Sequence, residues 1–177
     1  MRFFKALLKW LVILIVVLVA VAFLLPSSVS VSRSTVIAAA PEKIFPYVNS
    51  MQATEAWSPW LARDPDVQLT YDGPEEGVGN TLRWASDKPD VGNGIQVITA
   101  STPNERVDTA LDFGAQGLAN AYFLLDPADG GTQVTWGFDT ELGMNPIARW
   151  MGLMFDSWIG ADYEAGLANL KKVVEGG

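Results

Sequence analysis

Twenty carboxylates, four tyrosines and twelve lysines and arginines are the groups able to trade protons in this 177-residue sequence, which contains no histidine and no cysteine. A Ser–His–Asp triad, a cysteine nucleophile, imidazole general-base catalysis and Cys/His zinc or iron–sulfur centres are therefore excluded. Disulfides and a lipidated N-terminal cysteine are excluded too. Acid–base chemistry would need two of the remaining polar groups brought together inside a cavity. Asp156 stands among Met154, Phe155 and Trp158, and burial there would raise its pKa and suit it to such work. On a helix, though, it lies about 160° around the axis from Trp158, which argues for water instead. Asp112 and Asp139 stand beside aromatic residues in strand-like runs, and solvated positions are expected for both. Arg83, mid-strand beside Trp84, is expected to point outward. Asn80 and Asn93 fall in glycine-rich turns, where their side chains suit turn geometry. Gly77-Val78-Gly79-Asn80 precedes a strand rather than a helix, so it is not a phosphate loop.

The apolar residues are the more informative set. The sequence is 49% hydrophobic, with seven tryptophans and five methionines. A packed core is within reach of such a composition. In RWMGLMFDSWIG, residues 149–160, Trp150, Met154 and Trp158 recur every four residues and form one ridge on a helix. That ridge is either plain core or the lining of a pocket.

Elements that could position these residues follow from patterning. Residues 10–25, WLVILIVVLVAVAFLL, are uncharged and apolar, preceded by Arg2, Lys5 and Lys9 and closed by Pro26-Ser27-Ser28. With Ala6-Leu7-Leu8 added and Lys9 snorkelling, the run approaches the ~30 Å hydrocarbon core of a bilayer. Residues 1–28 are read as a signal-anchor that keeps the N-terminus cytoplasmic and places residues 29–177 on the outer side, periplasmic or extracellular. The competing reading is a signal peptide cleaved near Ala20-Val21-Ala22 or Ser28-Val29-Ser30. The first 28 residues hold those three positive charges and no acidic residue. Nine basic and twenty acidic residues remain beyond them, a net of −11. Such a surface repels nucleic acid, so no nucleic-acid partner is expected.

Strands alternate through the rest. V-S-V-S-R-S-T-V-I from Val29 is the first, and Pro41-Glu42-Lys43 opens a short helix to about Ser50. A second short helical piece falls around 52–57. Runs at 67–71, 81–85, 95–99, 106–113, 119–125 and 133–138 complete seven strands, with turn signals such as Asp129-Gly130-Gly131 between them. Residues 146–174 carry apolar residues every three and four positions, a helix of about 43 Å if Gly152, Gly160 and Gly166 serve close packing and not a break.

Several of these pieces resemble a known family together. The first strand with Ala39-Ala40-Pro41-Glu42-Lys43-Ile44-Phe45 and Trp57-Ser58-Pro59-Trp60 resembles the opening of the START-like, polyketide cyclase/dehydrase and lipid transport superfamily (SRPBCC). Glu76–Trp84 with Val91-Gly92-Asn93-Gly94 resembles its hairpin strands, and Gly160–Lys171 resembles the end of its long helix. The resemblance covers residues 29–175. It implies an α+β helix-grip fold: a seven-stranded curved antiparallel sheet around a long C-terminal helix, two short helices after the first strand, and here an added N-terminal membrane helix.

It also implies a cavity between sheet and helix. The residues assigned to its lining are Trp57, Trp60, Trp84, Phe113, Tyr122 or Phe123, Trp136, Phe138, Trp150, Met154 and Trp158. The leading expectation is a membrane-tethered domain that binds a small hydrophobic ligand, a lipid or a polyketide-like molecule. It uses no cofactor or metal and touches the bilayer through residues 10–25. The alternatives are a cyclase or dehydratase using Asp, Glu, Tyr or Arg groups in the cavity, and a ligand-free interaction module whose cavity is filled.

Overall fold

A computed structural model describes residues 2–176. Helix α1 spans Arg2–Ala22 and is exposed along its length, except at its last turn. Five residues, Phe23–Ser27, separate it from strand β1 (Ser28–Ile37). Helix α2 (Pro41–Val48) follows, with Pro41 in the first turn, where its missing N–H costs nothing. Two 3₁₀ turns come next, Ala53–Ala56 and Leu61–Arg63. The remaining strands are β2 (Gln68–Asp72), β3 (Thr81–Ala85), β4 (Asn93–Thr102), β5 (Arg106–Asp112), β6 (Leu118–Ala128) and β7 (Gly131–Glu141). Helix α3 (Pro146–Gly176) ends the chain. The expected second short helix is thus a pair of 3₁₀ turns. Pro59 removes an N–H donor between them, and no longer helix forms.

The seven strands form one antiparallel sheet in the order β1-β7-β6-β5-β4-β3-β2, so β1 and β2 are its edges. A register shift between Ile98 and Ala100 bends β4. Period-two alternation sends Val107, Thr109 and Leu111 of β5, Ala119, Ala121, Phe123 and Leu125 of β6, and Val134, Trp136 and Phe138 of β7 to the inner face. Asp108, Tyr122 and Asp139 take the outer one.

Helix α3 does not run across the middle of the sheet. It follows the edge strand β1, with lighter contact to β7 and α2. The three glycines expected to permit close packing each do so. A Cβ on Gly152 would strike Leu142 Cδ1 at 2.6 Å, one on Gly160 would strike the Arg33 guanidinium at 2.1 Å, and one on Gly166 would strike Trp136 Cζ3 at 2.7 Å. The helix therefore stays unbroken and lies close on the sheet.

Gly166→Ala tests this packing. Alanine should favour the helix by up to about 1 kcal/mol. Overpacking against a ring that cannot turn away should cost about 1–3 kcal/mol. A lower melting temperature, read by tryptophan fluorescence of the detergent-solubilised chain, is the expected result. An unchanged or higher one would mean that Trp136 is free to shift.

Candidate functional site

The inner face divides into a closed half and an open half. In the closed half, the rings of Trp136 and Tyr163 stack at 3.9 Å with 7° between their planes. Phe123 stacks on the other neighbouring side of Trp136 at 5.0 Å. Trp57 and Trp60 meet Trp136 edge-on at 5.2 and 5.4 Å. Such pairs each add about 1 kcal/mol beyond the area they bury. Trp57 donates its N–H to the Tyr47 carbonyl, and Trp60 donates to Asp162, which also pairs with Arg63. Trp136 Nε1 is the one buried side-chain nitrogen or oxygen without a partner among the described residues. Burial pushes the Tyr163 hydroxyl far above its ordinary pKa, so it stays protonated. The second half of α3 seals this region with Tyr163, Leu167, Leu170 and Val174, all buried.

The open half exists because α3 hugs β1. The inner faces of β2–β5 have no long helix above them. Leu69, Tyr71, Trp84, Leu111 and Phe113 are half-buried there and pack against the core, as do Phe155 and Ile159 on the α3 side. Trp84 and Phe113 meet edge-on at 5.9 Å. Trp84 lies over Gly94 of the next strand, where a Cβ would strike its ring at 2.4 Å. Its N–H donates to the Val91 carbonyl. Polar groups are few. Gln96 donates to Thr109 Oγ1 at 3.0 Å, and Tyr71 donates to Glu55 at 2.7 Å. Burial and the Glu55 charge raise the Tyr71 pKa, so this phenol can donate a hydrogen bond but is a poor base. An apolar surface with a few fixed polar groups suits capture of an apolar molecule by burial.

The residues assigned from sequence are not all brought together. Trp57, Trp136 and Phe138 are buried core, Trp60 closes the rim beside Asp162, and Trp84 and Phe113 line the open half. Tyr122 is on the outer face, lying over Gly137 with the Arg106 guanidinium 5.0 Å from its ring centre. Its neighbour Phe123 takes the inward place, because the β6 register puts odd-numbered residues inside. Trp150, Met154 and Trp158 are also outside the grip, 36%, 43% and 50% exposed. The helix face turned to the body is that of Ala148, Gly152, Phe155 and Ile159, about 130° around the axis.

Asp156 is exposed and serves as an ion-pair partner, so the buried acid–base reading is overturned. Asp112 accepts from the Gly114 N–H, and Asp139 accepts from Ser30 at 2.5 Å on the outer face. Arg83 points outward to Asp72. Asn80 locks its turn by accepting from the Met51 N–H and donating to the Pro74 carbonyl, and Asn93 accepts from the Ser86 N–H.

Two groups escaped the sequence reading. Arg33 faces inward from β1, between Val31 and Thr35, and fills the space left by Gly160. It donates to Glu164 at 2.8 Å, to the Asp156 carboxylate at 3.0 Å and to the Asp156 carbonyl at 3.2 Å. The alternation of the first strand carried the signal, since Val29, Val31, Arg33, Thr35 and Ile37 share a face. Asp64 is nearly buried, accepts from Ser86 and sits 3.5 Å from Lys88. The Ser86 hydrogen bond keeps its carboxylate below the usual range. Nothing in the local sequence marks it.

Two surface depressions, each about 570 Å³, lie outside the grip. One is on the outer face between β4 and β7, lined by Ile95, Val97, Ala110, Asn120 and Asp139 among others. The other runs between β1 and α3 beside Arg33, Glu164, Lys171 and Glu175. Neither contains an assigned tryptophan.

The grip, the sheet order and the pairing of long helix with curved sheet define a START-like domain. The chain belongs to the polyketide cyclase/dehydrase and lipid transport family, whose profile matches residues 28–175. Among solved structures, a protein of unknown function from Staphylococcus aureus is 11% identical and aligns with a TM-score of 0.62 over 84% of this chain and 94% of its own. Ara h 8.0201 aligns at 12% identity and a TM-score of 0.58, over 85% of this chain and 99% of its own. The di-domain ARO/CYC StfQ from the steffimycin biosynthetic pathway aligns at 13% identity and a TM-score of 0.62, over 84% of this chain and 51% of that one. At these identities the likeness is one of fold. No curated protein matches the chain.

The Arg33 clamp predicts a pH dependence. The hydrogen bond and then the charge of Arg33 lower the Asp156 pKa in the folded state. A lowered folded pKa contributes stability above the unfolded value of about 4, and that stability is lost as pH falls through the folded value. Asp156→Asn should therefore melt below the parent at neutral pH, with the gap closing below about pH 4. A gap that stays constant into acid would show that the carboxylate charge is not what Arg33 uses.

Proposed function

We propose that this domain is held at a membrane by α1 and binds a small hydrophobic molecule, lipid or polyketide-like, on the open half of its inner face. The observation that carries the reading is the half-covered apolar surface of Trp84, Phe113, Leu111 and Leu69 in a family described by lipid transport and polyketide chemistry. Burial of a ligand there is worth about 25 cal/mol per Å2 of apolar area, before the cost of association. The closed half holds the site rigid and contributes little room.

Support for the tether is twofold. The helix Phe3–Ala22 holds an 18-residue window of mean hydropathy 2.6 with none of that window buried against the domain, and it is about 30 Å long at 1.5 Å per residue. A signal sequence passes the same test. The second support is a set of contacts at the end of α1: the nearly buried Arg149 donates to the carbonyls of Phe23 and Leu25, and Trp150 donates to the carbonyl of Leu18. Cleavage after Ser30 would strip the Phe23 and Leu25 carbonyls from a nearly buried guanidinium, at a cost of a few kcal/mol, whereas cleavage after Ala22 would remove only the Leu18 partner of Trp150. With Arg2, Lys5 and Lys9 at the start of this helix, ahead of the uncharged run 10–25, the N-terminus faces the cytoplasm and the domain the outer side.

A second reading, a cyclase or dehydratase, draws on Tyr71 and Glu55, a phenol–carboxylate pair at the rim of the apolar face. It would serve as a hydrogen-bond donor to a developing oxyanion.

The chain should be extracted in mild detergent and examined intact by native mass spectrometry. A co-purifying apolar molecule is expected on the parent, with loading reduced at least about tenfold in Trp84→Ala, as for loss of a buried aromatic anchor. Empty spectra, with tryptophan fluorescence flat across a panel of phospholipids and sterols, would remove the binding reading.

A further inference from the structure

The ridge of α3 that turns away from the domain needs an occupant. Ile147, Trp150, Met151, Met154 and Trp158 form one apolar stripe, between 36% and 70% exposed. It carries no free charge. Of the two ionised residues in this half of the helix, Arg149 is nearly buried on backbone carbonyls, and Asp156 is neutralised by Arg33 on another face. A contiguous exposed apolar stripe on a domain this acidic marks a contact surface.

Its place in the fold says what covers it. Trp150 hydrogen-bonds the carbonyl of Leu18, four residues before the end of α1. At 1.5 Å per residue that is about 6 Å inside the end of the span, the depth of the headgroup–acyl boundary. Tryptophan is the side chain that favours this layer. Leu24, 85% exposed in the connection after α1, and Met144, 73% exposed just before α3, are further exposed apolar side chains in the segments that adjoin the two helices.

We propose that residues 147–158 of α3 lie in the interfacial layer of the bilayer that α1 crosses, with this ridge turned into the acyl chains. The inference rests on the reading of α1 as a retained membrane helix and goes beyond it. The domain lies down on the lipid through a second element, while Phe155 and Ile159 of the same helix stay turned to the core. A second copy of this chain is the competing occupant of the ridge.

The chain has no cysteine, so single reporters are simple to place. Full-length Met154→Cys, Trp158→Cys, Leu14→Cys and Asp129→Cys variants should be labelled with an environment-sensitive fluorophore and reconstituted in phosphatidylcholine vesicles. Nitroxide-labelled phosphatidylcholine is the quencher. Leu14 reports on α1, and Asp129, in the β6–β7 hairpin, is the control for water. Labels at 154 and 158 should emit to the blue of 129 and be quenched at least about twofold by nitroxide placed near the headgroup. Label 14 should respond to the deeper nitroxide. Label 14 deep with 154 and 158 as wet as 129 overturns the docking surface and leaves the tether standing. Label 14 wet removes both. Labels 154 and 158 dry but unquenched by lipid, with crosslinked dimer, assigns the ridge to a second copy and overturns the proposal.

Discussion

Everything in this molecule depends on where α3 lies, and that is set by an arginine under a glycine. Arg33 projects from an edge strand into the grip and takes the volume that a side chain at residue 160 would need. It holds the helix by both the Asp156 carboxylate and Glu164. Exposed ion pairs are individually weak, so the clamp acts through geometry more than through energy. A guanidinium has fixed donor directions, and these fix the rotation of the helix about its own axis. Trp136 beneath Gly166 repeats the device less than two turns further on, with an aromatic ring in place of the charge. Between them they keep α3 on the β1 side of the sheet. The asymmetry of the inner face, aromatic and solid at one end, apolar and half-covered at the other, follows directly.

Much of the fold was legible in the sequence because its signals are periodic. The alternation of β1, β5 and β7, the turn residues between strands and the three-and-four spacing of α3 each specify an element by local physics. The site was less legible because it depends on phase. Trp150, Met154 and Trp158 form a ridge as their spacing requires, but spacing does not say which side of a helix meets the sheet. The glycines did say it: Gly152, Gly160 and Gly166 mark the side of close approach, and Trp150 and Trp158 stand well around the axis from it. Tyr122 and Phe123 posed the same problem in a strand, where a one-residue shift exchanges the faces. Arg33 was overlooked because an arginine is ordinarily read as solvated, although its place in the alternation put it inside.

The interior is also unusual in its polar accounting. Buried polar groups here are tied to backbone or to a short-range partner: Asn80 to a turn, Thr132 to the Ala39 carbonyl, Asp64 to Ser86. The indole N–H of Trp136 alone lacks a partner among the described residues, in the middle of an aromatic stack. Leaving such a donor unpaired costs about 1–3 kcal/mol. The rings that crowd it offset that cost through area and stacking. The half-covered apolar surface beside it is therefore anchored to a rigid wall, as the proposed binding of an apolar molecule would require.

The connection between α1 and β1 has a consequence of its own. Five residues, fully extended, reach about 17 Å, less than the width of the domain they carry. Arg149 shortens that leash further by gripping two of its carbonyls. With α1 in a bilayer, as proposed, a domain moored this tightly would have no freedom to roam above it. Its encounters would become those of a body gliding in a plane, where partners arrive sideways and at one fixed angle of approach, and where distant targets in the surrounding fluid are out of bounds.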